Sequence, residues 1–210
     1  MDRPAPAAIG FRAHSGWAVL VAVAGQAHAP TVILRRRLEL ADPGVRGSVQ
    51  PYHAAAEMSP GEGSAFLERC AAASNALAER TVREAVAELG RQGYRALASC
   101  ILLASGRPLP PLAAILAAHP LIHTAEGVFF REALHQASER CGLLVTAFRE
   151  RDLPSQAAAA LRIPADELLR RASALGKAAG PPWRQDEKLS ALAAWLALAS
   201  RPATTSATRR

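Results

Sequence analysis

With 210 residues, half of them apolar, the chain can build the core of one domain and is far from the composition of a disordered protein. Its apolar runs stop short of the roughly 20 residues that a membrane-spanning helix needs, which argues against a membrane partner. The formal charge of +7 is almost wholly arginine, because Lys177 and Lys188 are the only lysines, and part of it lies in the tail at Arg201, Arg209 and Arg210. Ala- and Arg-rich, Lys-poor usage follows from a GC-rich genome, so the basic balance is a weak signal for nucleic acid.

Cys70, Cys100 and Cys141 are odd in number, far apart and contain no CxxC, the pattern of free thiols in a reducing compartment. The N-terminus carries Asp2, Arg3, Pro4 and Pro6, and the first apolar run (17–24) comes too late and is too short for a secretory leader. The expected location is the cytoplasm. The expected organisation is a disordered N-terminus (1–7), a single domain (8–200) and a disordered tail (201–210).

Residues 9–14 predict a first strand, Ser15-Gly16 a turn, and the β-branched run 17–24 a second strand. Residues 31–40 alternate, with Val32, Leu34, Arg36, Leu38 and Leu40 on one face and Ile33, Arg35, Arg37 and Glu39 on the other. That is the signature of a half-exposed antiparallel strand. Arg35, Arg36 and Arg37 read as a solvated edge that resists aggregation, since no aromatic platform interleaves them for phosphate-backbone binding. Residues 42–63 form a Pro- and Gly-rich loop with a helical piece around 53–58; loops of about 20 residues are uncommon inside compact domains and often carry function.

A long helix over 62–89 follows from apolar residues at helical spacing and ends at Gly90 and Gly93. The near-continuous apolar run 94–104 predicts a central parallel strand. Beyond it come a short helix (109–118), a helix capped by Thr124 and reaching Arg140, a last strand (143–148), and helices over 155–161, 165–175 and 185–200. The order is β-β-β-α-β-α-β-α. It implies an α/β fold with a mixed five-stranded sheet, a three-stranded antiparallel meander plus two parallel strands, flanked by helices.

Three segments carry a family likeness. The opening IGFRAHSGWA (9–18) resembles a first strand and tight turn that read G-[I/V]-D-x-[G/S] in such families. The run 94–106 resembles their fourth strand, and 183–198 their terminal helix. Over 8–200 the chain resembles the ribonuclease H-like superfamily, which includes the Holliday-junction resolvases. The resemblance implies a two-metal nuclease site for Mg²⁺ or Mn²⁺, with acids on the first strand, after the fourth strand and on the last helix. Here Arg12 stands at the first-strand position, no acid lies between Arg3 and Glu39, and Glu126 is the first acid after the fourth strand. An arginine repels cations and attracts anions. The expectation is a degenerate site without nuclease activity that binds a nucleotide, nucleic acid or protein partner. The alternative is a metal-dependent phosphodiesterase using Glu126 and Asp186 as catalytic acids with a histidine from His14, His53 or His123.

Other polar groups remain to be placed. Arg12, His14 and Ser15 close the first strand, where ligands of open α/β sheets bind; they read either as an anion contact or as a polar turn. His53 in the long loop, His123, and Lys188 on the last helix complete the candidate ligand-binding set. Asp186 and Glu187 also suit the positive end of a helix. His119, His123 and Glu126 are candidate metal ligands, but Pro120 reads as a break between the histidines, against an i,i+4 pair on one helix. No phosphate-binding glycine loop, nucleophile elbow or zinc spacing is present. A homo-oligomer stays open.

Overall fold

A continuous apolar run followed by an alternating one gives the N-terminal half three hairpin-linked strands in the computed structural model, which describes residues 4–26, 28–104 and 108–200. β1 (Ala5–His14) pairs antiparallel with β2 (Trp17–Gln26), and β2 with β3 (Ala29–Glu39). Gly16 turns the first hairpin at φ +80°, a value that suits glycine. β4 (Tyr94–Leu103) and β5 (Leu144–Arg149) add parallel to β1, giving the sheet order β3-β2-β1-β4-β5. The helices are α1 (Pro51–Ala56), α2 (Pro60–Arg91), α3 (Leu112–Leu116), α4 (His119–Arg140), α5 (Leu153–Leu161), α6 (Ala165–Ala179) and α7 (Gln185–Ala199). The expected mixed α/β sheet flanked by helices is therefore present. β1 starts at Ala5, ahead of the domain boundary expected at residue 8. The expected tail (201–210), the first three residues and Gly106 lie outside the described residues.

Each face of the sheet has its own core. Ile9, Phe11, Leu20 and Leu38 pack with Val82 and Leu89 of α2 and Phe130 and Leu134 of α4. Val19, Val21 and Cys100 pack on the other face with Leu192, Trp195 and Leu196 of α7 and with residues of α5 and α6. Alternation along β1 thus sends Ile9, Phe11 and Ala13 toward α2 and α4, and Gly10, Arg12 and His14 to the α7 side. α7 is buried nearly all round, so it carries alanine where an amphipathic helix would carry charge. Burial pushes the Cys100 thiol up to about 12, against a weaker opposing hydrogen bond with Thr146, as suits a core cysteine. No helix of the described residues is long and apolar enough to cross a membrane.

Two local expectations change. Ala22 faces Leu34 and Val23 faces Val32, so Ile33 is the extra residue of a β-bulge and Val32 turns to the α7 side. The arginine run on edge strand β3 is used as a set of intramolecular ties. Arg35 donates to the carbonyls of Gly180 (2.7 Å), Pro181 (3.0 Å) and Pro182 ahead of α7. Arg36 donates to Glu88 of α2, and the Arg37 guanidinium lies 3.8 Å from the Trp17 ring centre.

Candidate functional site

β1 ends between two apolar layers, and a guanidinium there needs a counter-charge. Arg12 finds two. Its Nε and Nη2 donate to the two carboxylate oxygens of Glu150, each at 2.9 Å, and its Nη1 donates to Asp186 Oδ1 at the start of α7. His14 Nε2 lies 3.0 Å from the same Asp186 oxygen, and its ring stacks on Trp17 at 4.2 Å. The Glu150 hydrogen bond, more than offsetting burial, and then Asp186 raise the Arg12 pKa further. Burial pushes the Asp186 carboxyl up, but hydrogen bonds from Arg12 and His14 and their charges together hold it below its ordinary value.

A pH dependence follows. A carboxyl whose folded pKa is depressed contributes stability above its unfolded value, about 3.9, and that stability is lost as pH falls through the folded value. Asp186→Asn is expected to cost about 1–2 kcal/mol at pH 7. The deficit should shrink in urea melts below about pH 3.9. A deficit that is the same at pH 7 and pH 3 would contradict the pairing.

Arg131 of α4 ties the strand ends together. Its Nε donates to Leu102 O at 2.6 Å, its Nη2 to Ala13 O at 2.9 Å, and its Nη1 to Gly127 O. Burial lowers its pKa, opposed by Glu150 and reinforced by Arg12. Arg12, Arg131, Arg151 and Glu150 line a cavity of about 620 Å³ beyond the strand ends.

A second cavity of about 240 Å³ adjoins it at Arg131 and Ala104, lined among others by His14, Ser15, Gln50, His53, His123 and Glu126. Glu126 is buried, and its Oε1 accepts from the backbone N–H of Tyr52 (2.8 Å) and of His53 (3.1 Å). His53 Nδ1 lies 3.3 Å from that oxygen. Burial raises the Glu126 pKa against these hydrogen bonds, and its Oε2 is buried without a protein partner.

The structure places the candidate metal ligands His119, His123 and Glu126 as follows. Pro120 sits in the first turn of α4, where its missing N–H would have no helical partner, so the helix begins at His119 and Thr124 instead donates to Pro120 O at 2.9 Å. His119 and His123 are therefore i,i+4 neighbours. They gather with His53 and not with Glu126, whose Oε1 is held by the α1 backbone. Among the described residues, the one cluster of three or more close metal-ligating side chains contains neither Glu126 nor Asp186. Lys188, half-buried on α7, makes no hydrogen bond to the Arg12 group among the described residues.

Sequence reasoning missed Glu150 and Arg131. The available signal for Glu150 was Arg12 itself, since a cation on an apolar strand demands a carboxylate. Nothing in the helical pattern of α4 distinguishes Arg131 from a surface arginine.

On β1 the Arg12 guanidinium thus occupies both Asp186 and Glu150. No protein-family model matches the sequence, and no curated protein matches it. Among the solved structures similar in fold are two of RuvC. One is the RuvC of Thermus thermophilus in complex with Holliday junction substrate, with a TM-score of 0.51, 12% identity and 90% of each chain covered. The other is Thermus thermophilus RuvC, with a TM-score of 0.50, 13% identity, and 90% of this chain and 92% of that chain covered. With its sheet order, its crossovers and α7 across β1, the chain has the ribonuclease H-like fold seen in these RuvC structures.

Proposed function

We propose that this protein binds nucleic acid through the arginine-lined cleft at the strand ends and does not cleave it through a two-metal site on β1. The observation that carries this reading is Arg12, a guanidinium at the strand position where the fold's nucleases carry an acid, clamped by Asp186 and Glu150. Two carboxylates paired to an arginine cannot also neutralise two divalent cations. The adjoining 620 Å³ cavity is lined by Arg12, Arg131 and Arg151, and of these the exposed Arg151, whose contact with Asp152 is a loose 3.5 Å, is the guanidinium open to a phosphate. The fold likeness to a RuvC solved with Holliday junction substrate supports nucleic acid over a free nucleotide as the ligand.

Fluorescence anisotropy with labelled four-way DNA, duplex DNA, single strands and RNA tests the binding half. Binding to at least one of them is expected, with Kd of about 10⁻⁵ M or tighter at physiological salt and a linear fall of log K with log salt. Arg151 is exposed, so Arg151→Ala leaves the fold intact and should reduce the salt slope by about 1. No binding to any of the four at about 50 mM salt refutes the proposal. So does Mg²⁺- or Mn²⁺-dependent cleavage that Asp186→Asn abolishes.

A further inference from the structure

We propose that His53, His119 and His123 form a three-imidazole site for a divalent transition-metal ion of the zinc type, bridging α1 and α4. The two histidines of α4 stand one turn apart on one face, and the His53 ring meets both. Ring centres are 4.4 Å apart for His119 and His123, 4.9 Å for His53 and His123, and 5.3 Å for His53 and His119. One nitrogen from each ring lies within 4.8 Å of the others. A tetrahedral zinc ion with bonds of about 2.0–2.1 Å separates its nitrogens by about 3.3 Å. His119 and His123 are exposed and free to rotate through that difference.

Glu126 prepares the third ligand. It lies three residues after His123 on α4, and its Oε1 holds the α1 backbone at Tyr52 and His53 and reaches His53 Nδ1. A proton on Nδ1 directed at the carboxylate leaves Nε2 for the metal, the carboxylate–histidine–metal order that orients an imidazole and makes it a stronger donor. An all-imidazole set selects Zn²⁺, Cu²⁺, Ni²⁺ or Co²⁺ over Mg²⁺ and Ca²⁺, which need oxygen. Three ligands leave one tetrahedral position for an exchangeable group, beside the cavity lined by Gln50 and Arg131.

The test is a titration of tag-free, chelator-stripped protein with Zn²⁺ by calorimetry and with Co²⁺ by visible absorption. One equivalent of Zn²⁺ should bind, Co²⁺ should develop d–d bands of tetrahedral intensity, and Mg²⁺ should compete with neither. His119→Ala and His123→Ala alter exposed side chains and keep the fold. Each should weaken Zn²⁺ by more than the roughly 10–100-fold that loss of an outer-shell partner costs, whereas Glu126→Gln should fall within that range. His135→Ala, on the same helix outside the cluster, should bind as the native protein does. Absence of stoichiometric Zn²⁺ binding overturns the proposal, as does binding that survives in the His119→Ala/His123→Ala double variant. DNA binding plays no part in these readouts.

Discussion

Replacement of Gly10 by alanine is expected to cost about 3 kcal/mol of stability. A Cβ there would lie 1.9 Å from Ser190 O and 2.6 Å from Ala194 N, both backbone atoms of α7 that no rotamer change can move. The helix would have to retreat from β1 along its length, breaking the contact of Ser190 Oγ with Val19 O (3.2 Å) and loosening the packing of Leu192 and Trp195. Asp186 lies about one turn before Ser190, so the same retreat pulls it from Arg12. In urea unfolding the midpoint should fall with little change in slope. Gly61→Ala is the control: a Cβ there meets nothing within 4 Å, in the first turn of α2, and the change should be neutral or mildly stabilising. Equal effects of the two substitutions would contradict the close approach of α7 to β1.

Arg131→Met should be nearly as damaging, with a loss of about 3 kcal/mol in thermal or urea unfolding. The variant keeps most of the side chain's packing volume and deletes the donors to Leu102 O, Ala13 O and Gly127 O. Those carbonyls end β4 and β1 and lie within α4, so one guanidinium closes a junction that the sheet ladder leaves open. Water can reach the junction through the two cavities that Arg131 lines, which is why the loss is smaller than three charged hydrogen bonds would sum to. Arg131→Lys should recover only part of it, because an ammonium cannot direct donors along the three guanidinium directions. A methionine variant as stable as the native chain would show that the strand ends do not depend on this tie.

The strand order was legible because each strand carries its own period. β2 is apolar from Trp17 to Ala24, as a strand covered on both faces must be, and residues 34–39 of β3 alternate as an edge strand does. The bulge at Ile33 was not legible, since Val32, Ile33 and Leu34 are all apolar and either side of the sheet accepts them. The start of α4 was misread for a specific reason: Pro120 stops a helix from its interior but is welcome in its first turn. That one position decides whether His119 and His123 share a face.

By itself the sequence determined most of the elements, their order, the mixed sheet and the presence of a cation, Arg12, near the end of an apolar first strand, because these are read from residues close together along the chain. Only the tertiary structure decided what answers that arginine. Glu150 is 138 positions away and Asp186 is 174, and each arrives through a crossover and a packed helix whose placement no local period encodes. The same holds for His53, which meets His119 and His123 because a buried Glu126 pins α1 onto α4. A counter-charge for Arg12 was demanded by desolvation. Its identity was selected by the packing of two cores on opposite faces of one sheet.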